Sequence, residues 1–328
     1  MSEVLPHYTY YPRIKALFDK DNQFALDYKS VVGIAMIGSH SHGTYIPPTD
    51  PNAIDDVDFM GIVLPPPVYL VSGTCTWDHW TKQHEELDIV MYSLTKWVGL
   101  MLNGNPNVLG LLWIREQDML HESQTFKVLR QHRHLFASKR AYKSFAGYAA
   151  GQLQSMTAYS PEIQAEIDTL TAQVTGAGWS VQDIMTGQSL PMPPAVYNVA
   201  ELNVQAKRLK TLRAKYHQAY MGEKRRSLVV QHGYDTKNAA HLIRLLLMCK
   251  EFMETGEMQV YRTHDALMLK DIKQGVWSLV DVKAFAEFLF AQVKVARDRS
   301  PLPELPDTDR VGKLVTDLAL DMWSEGRA

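Results

Sequence analysis

Apolar positions along the chain follow two regimes, short unbroken runs in the first third and helical periodicity after it. "VVGIAMIG" (Val31 to Gly38), "VDFMGIVL" (Val57 to Leu64) and "LDIVMYSL" (Leu87 to Leu94) have the length and β-branched content of buried strands. Between the second and third, "PPPVYLVSG" is punctuated by Pro and Gly and reads as a connection or an edge. Ser93 is placed as an N-cap, and the helical spacing that follows it ends at Gly104 before Pro106. Helices are expected over Ala141 to Met156, Pro161 to Val174, Val199 to Met221, Asp235 to Thr255, Leu279 to Arg299 and Val311 to Trp323. The Gly- and Pro-rich stretch from Gly176 to Asn198 reads as a long loop, and "MQVYR" (Met258 to Arg262) as a single strand. The pattern predicts an α+β or α/β domain over residues 1–138, a mixed sheet with helices, followed by a helical domain over residues 139–328.

Composition narrows the class. At 46% hydrophobic residues the chain can fill a core, which argues against disorder. Lys and Arg number 34 against 36 Asp and Glu, so the net field does not advertise a polyanion partner, although a local basic surface stays open. Cys75 and Cys249, the only cysteines, make neither a disulfide framework nor a metal cluster, and a reducing cytoplasm is the expected setting. The first residues lack the apolar core of a signal peptide, and nowhere do 18 uncharged apolar residues run together, so no membrane association is expected.

Charge at the head of the second strand needs a reason. Asp55, Asp56 and Asp58 enter what is otherwise a buried run. Strand periodicity puts Asp56 and Asp58 on one face and Val57 and Phe59 on the other. Two neighbouring carboxylates repel unless a divalent cation bridges them, and hard Mg²⁺ favours oxygen ligands. Asp88, inside the third run, adds a further acid on a strand that can lie beside the first, and three acids so arranged make a two-metal site for phosphoryl chemistry. Before them, Gly38 permits close backbone approach and Ser39 can donate to phosphate oxygens. A Walker loop is excluded because no Gly-Lys-Ser/Thr follows. Singly, the Gly-Ser pair reads as a turn, the Asp-x-Asp pair as a solvated strand end and Asp88 as a surface residue; their order in one chain is the stronger signal.

That order resembles the DNA polymerase β-like nucleotidyltransferase superfamily, whose hallmark is a Gly-Ser turn, then Asp-x-Asp, then a third acid on a later strand. "DDVDFMGIVL", "DIVMYSLTKWVGLMLNGNPNVLGLLW" and "TKNAAHLIRLLLMCKEFMETGEMQVYR" are similar to its RNA-ligase-associated branch. The sixteen residues between Ser39 and Asp56, with the insertion "YIPPTDPNAI", exceed the spacing of many members. The resemblance implies that Asp56 and Asp58 bind two Mg²⁺ ions, with Mn²⁺ as a substitute, and that Asp88 binds the catalytic one and orients or deprotonates the attacking hydroxyl. It implies transfer of a nucleoside monophosphate from an NTP, ATP among the candidates, with release of pyrophosphate. An RNA or tRNA end is the favoured acceptor; a protein side chain or small molecule, and a non-catalytic nucleotide-binding module, are the alternatives.

Lys237, His241 and Arg244 stand at i, i+4 and i+7 on one helical face. They read either as a solvated or ion-paired face, or as a wall contacting the triphosphate or the acceptor's phosphates, and the resemblance favours nucleotide binding. Lys207 to Arg226 concentrates eight of the 34 Lys and Arg, as a solvated helix face or as a track for a nucleic-acid backbone with Tyr216 and Tyr220 as stacking partners. His40 and His42, either side of Ser41, are expected to make local hydrogen bonds rather than to ligate metal.

Overall fold

The three apolar runs form the middle of a five-stranded mixed sheet. In the computed structural model, which describes residues 9–47, 49–50, 56–156, 161–215 and 223–326, the strands are β1 (Val31–Met36), β2 (Val57–Val63), β3 (His79–His84), β4 (Leu87–Ser93) and β5 (Met119–Glu122). Their order across the sheet is β3-β4-β2-β1-β5. β2 pairs with β4 in parallel and with β1 antiparallel, while β3 and β5 form antiparallel edges. Every residue of β1 is buried, as an unbroken apolar run predicts for a strand paired on both sides.

β3 was not signalled, because "HWTKQH" has no apolar alternation; only Trp80 points into the core. Its polar side chains suit an exposed edge. β3 returns into β4 through Glu85 and Glu86, with Glu85 at φ 54°, and Arg13 bonds both carboxylates at 2.8 and 2.6 Å.

In the unit formed by Met1–Ala150 with Ala240–Ala328, α1 (Tyr10–Asp21) packs Tyr10, Tyr11, Ile14 and Phe18 onto the face carrying Ile34, Met36, Phe59, Ile89 and Met91. Gly61 of β2 lies on that face too, where a Cβ would come within 2.3 Å of the Met91 sulfur. By strand alternation Asp58 and Asp88 project from the opposite face. This unit also contains the short α2 (Gly38–Ser41) and α3 (Val68–Val71), α4 (Leu94–Leu102), α5 (Pro106–Leu109), α6 (Gln124–Gln131) and the start of α7 (Arg140–Ser155). The Ser93 hydroxyl caps α4 by accepting from Lys96 N at 3.2 Å. Such a cap is worth about 1 kcal/mol.

A second unit, Gly151–Ala239, comprises the end of α7, α8 (Pro161–Gly176), α9 (Val181–Thr186), α10 (Val199–Lys215), α11 (Glu223–His232) and the start of α12 (Thr236–Thr255). Its core is Ile167, Val174, Trp179, Ile184, Leu202, Leu209 and Leu212. The loop expected from Gly176 to Asn198 therefore contains a helical turn, α9, whose Ile184 joins this core. The rest of α12 returns to the sheet-bearing unit with α13 (Ala266–Lys273), α14 (Leu279–Arg299) and α15 (Thr308–Ser324). This division differs from a cut between 138 and 139. Phe252 of α12 is fully buried and meets the Trp113 ring edge-on at 5.6 Å, a contact that sequence distance hides. Among the described residues no helix is long and apolar enough to cross a membrane.

Candidate active site

β1 ends at Met36, and the chain turns sharply at Gly38, φ +66°, into α2. Ile37 N donates to Asp58 O at 2.8 Å, which fixes this turn against the head of β2. A Cβ on Gly38 would lie 1.9 Å from Asp58 Oδ2, so only glycine leaves room for that carboxylate. Ser39 O accepts from Thr44 N at 2.9 Å, while Ser39 Oγ is buried with no hydrogen-bond partner. A buried hydroxyl without a partner costs about 1–3 kcal/mol, and a ligand oxygen is one way to recover it.

Asp58 and Asp88 are register partners on the parallel strands β2 and β4. Neighbouring strands lie about 4.8 Å apart, so the two carboxylates start side by side on the face away from α1. Gln83 Nε2 reaches Asp88 Oδ2 at 3.4 Å from the edge strand. Asp56 lies one residue before β2, partly buried. Asp55 and half of the insertion before it fall outside the described residues.

The other side of the turn is held by the last quarter of the chain. His42 Nδ1 lies 3.0 Å from Val260 O, and a carbonyl can only accept, so Nδ1 carries the proton. Arg262 N returns a bond to His42 O at 3.1 Å, and the buried Lys273 donates to Thr44 O at 3.0 Å. Gly43, φ +71°, abuts the Tyr261 ring, over which the Arg115 guanidinium sits at 3.6 Å. Residues Met258 to Arg262 are thus not a strand of any sheet. They run as irregular backbone that spends its hydrogen bonds on His42. The backbone N–H of His42 bonds locally, to Gly38 O at 3.1 Å, while its side chain bonds at long range, and His40 stacks on Tyr45 at 3.9 Å.

Burial, followed by the charges of Arg244, His241 and Arg262, holds His42 well below the usual imidazole range, so its ring is neutral at pH 7. Arg244 keeps an exposed edge but its charged end is enclosed. Burial first, then Arg262, pulls its pKa down to about 9, which still leaves it charged at neutral pH. Its guanidinium donates to the Met248 thioether, Sδ at 3.1 Å, and among the described residues no carboxylate pairs with it. An enclosed cation of this kind is a site for an anion.

The structure therefore gathers Gly38, Ser39, Asp58 and Asp88 at one sheet end, with Asp56 adjoining, and brings His241 and Arg244 to the far side of the same turn through His42. Lys237 stands on the same helix, α12, in the part of it that belongs to the Gly151–Ala239 unit. Sequence reasoning missed Arg262, Val260 and Lys273, which set the turn in place; no local pattern marks a carbonyl or a buried lysine 218 or more residues away. The basic stretch from Lys207 is in part accounted for within its own unit. Arg208 bonds Glu166 at 2.8 Å, Arg226 bonds Asp168 at 2.8 Å, and Arg225 bonds Asn238 at 2.8 Å. Tyr216 and Tyr220 lie outside the described residues.

A preformed cage is not present: among the described residues no three of His, Cys, Asp or Glu gather as a metal-holding group. The donor set still fits Mg²⁺, which binds through one or two carboxylates plus substrate phosphates rather than an all-protein cage. Asp58 and Asp88 supply the hard oxygens, and the partnerless Ser39 hydroxyl supplies a place for a phosphate oxygen.

Residues 19–177 match the model of a family described as RNA repair pathway DNA polymerase beta. That span takes in all five strands with Gly38, Ser39, Asp56, Asp58 and Asp88, and stops before Lys237, His241 and Arg244. The chain is also 24% identical over 308 aligned positions to an uncharacterized 38.9 kDa protein in the nrdC-mobD intergenic region of Enterobacteria phage T4, covering 79% of this chain and 87% of that one. No solved structure matches.

Proposed function

We propose that this chain, whose residues 19–177 match the RNA repair pathway DNA polymerase beta family, is a nucleotidyltransferase that transfers a nucleoside monophosphate from an NTP to an acceptor hydroxyl and releases pyrophosphate. The observation that carries this reading is the in-register pair Asp58 and Asp88, set against a glycine turn whose serine hydroxyl has no partner. Mg²⁺ bound there would stabilise charge on the transferring phosphoryl oxygens and lower the pKa of the attacking hydroxyl. Asp58 would hold it, with Asp56 closing from the residue before β2. Asp88 is the carboxylate for the acceptor side, where it would orient the hydroxyl and take its proton. Ser39 Oγ and the α2 amides would donate to the triphosphate. Arg244 would take the remaining phosphate charge, since an enclosed guanidinium binds an oxyanion bidentately. His42, neutral and fixed by Val260, would add no further positive charge to Arg244 and Arg262.

An RNA end is the acceptor class we favour, since the matching family is described as an RNA repair pathway family. The test is Mg²⁺-dependent release of pyrophosphate from each of the four NTPs with a mixed RNA pool, followed by locating the labelled nucleotide. Release that requires RNA, and label at an RNA terminus, are expected. Release that is indifferent to RNA would point to another acceptor, and no release from any NTP would refute transfer.

A further inference from the structure

α14 buries Val282, Ala286, Leu289, Val293 and Ala296 against its own unit and turns a second apolar stripe outward. Val280 is 74% exposed, Phe288 55% and Val295 44%, and exposed Ala284 and Ala291 stand between them. At 3.6 residues per turn these five positions fall within about 80° of arc. Their spacing of four, four, three and four is that of a helix-pair seam, and the two alanines let a second backbone come close. Phe288 stacks on Phe285 at 6.3 Å, and Phe285 packs on Trp277 at 5.6 Å, so the exposed ring is held in place.

The charges beside the stripe say what covers it. Lys283, Glu287, Lys294 and Asp298 are exposed along one edge, and among the described residues Lys283, Glu287 and Lys294 make no ion pair, while Asp298 meets only its neighbour Arg297. When two copies of a helix pair antiparallel about a two-fold axis, the same edge of each faces the other. The pairs Lys283 with Asp298 and Glu287 with Lys294 share one midpoint, between Phe290 and Ala291. Every charge on the edge would meet its opposite in the second copy, whereas parallel pairing would turn this edge toward the other edge of the second helix and leave that complementarity unused. We propose that α14 is the interface of a two-fold dimer of this chain, with the helices antiparallel and Phe288 at the seam. This inference is independent of the nucleotidyltransferase reading.

Sedimentation of the full chain from about 1 to about 100 µM tests it, the range in which a modest interface dissociates. A concentration-dependent dimer is expected. Phe288→Glu should raise its dissociation constant at least tenfold, on the order of one buried aromatic anchor. Glu287→Lys and Lys294→Glu should each weaken the dimer, and the double exchange Glu287→Lys with Lys294→Glu should restore it, all four variants keeping the wild-type circular dichroism and melting point. A chain monomeric over the whole range would overturn the proposal and leave the stripe to a different partner. So would a dimer indifferent to Phe288→Glu, or a double exchange no stronger than either single one.

Discussion

Arg262 and Arg244 are both enclosed, lie in the same unit and act on the same histidine, yet their surroundings are opposite. Arg262 is 3% exposed and meets Glu251 at 2.6 and 2.7 Å, Asp265 at 2.6 and 2.9 Å and Gln259 O at 2.9 Å. These bonds outweigh its burial and raise its pKa. Arg244 meets a thioether and has its pKa lowered. One guanidinium has a full set of acceptors and holds the irregular segment that binds His42. The other meets a thioether and, among the described residues, no carboxylate, in the neighbourhood of His42. A buried charge already satisfied is architecture, and one left unsatisfied at a glycine turn is a ligand site.

The strongest break comes on the acidic side, which both arginines serve. On the proposed reading Asp58→Asn takes away a carboxylate that would hold the metal and also the repulsion from Asp88, so the fold should persist while pyrophosphate release falls by about 100-fold or more. Activity within a few-fold of wild type would remove the metal assignment and with it the reason for an anion beside Arg244.

Arg262→Ala should cost about 3 kcal/mol, the low end for breaking a buried ion pair, because Glu251 keeps 30% of its side chain in water. The melting point should drop by several degrees. Arg244→Met should leave the melting point of the free protein unchanged or higher, since a satisfied apolar side chain replaces an unsatisfied cation. Its KM for a phosphate-bearing substrate should rise about 10- to 200-fold, the equivalent of about 1.5–3 kcal/mol for bonds to a charged group. Melting scans beside substrate titrations of the two variants separate these roles, and a destabilised Arg244→Met with unchanged KM would make the two arginines alike.

A smaller effect follows from His42. Its pKa in the folded chain lies below the unfolded value near 6.5, so the unfolded chain binds the proton first. The stability contributed by the neutral ring is complete above that value and is lost as pH falls through 6.5 toward the folded pKa, by at most about 1.4 kcal/mol per pH unit. His42→Asn keeps a donor near Val260 O without a titrating ring. Its melting point should vary less between pH 7 and the acid side than that of wild type, and an equal slope would place the proton uptake elsewhere.

How much of this could be read from sequence divides along the same line. β1, β2 and β4 were legible, as was a strand carrying Asp88 beside the one carrying Asp58, since apolar runs fix strands and a period of two fixes faces; the register that sets Asp58 against Asp88 was not. Ser93 as a cap and the longer helices α7, α8, α10, α12, α14 and α15 were legible in the same way, whereas the shorter α9, α11 and α13 were not. β3 and β5 escaped because an edge strand needs little apolar signal. Met258 to Arg262 looked like a strand because its apolar residues alternate, but its partner is a histidine 218 residues away rather than a neighbouring strand. Lys237, His241 and Arg244 share a helical face by spacing, yet spacing cannot tell which of them is enclosed or which unit each helix turn joins.

Binding of inorganic tripolyphosphate with Mg²⁺, followed by calorimetry on wild type, Arg244→Met and Asp58→Asn, reaches the central claim without needing the acceptor. A single site is expected in wild type, weakened at least tenfold in Arg244→Met with the melting point of the free protein held, and losing its dependence on Mg²⁺ in Asp58→Asn. Equal affinity in wild type and Arg244→Met, or binding that ignores Asp58, would contradict an anion site built from the enclosed arginine and the paired carboxylates.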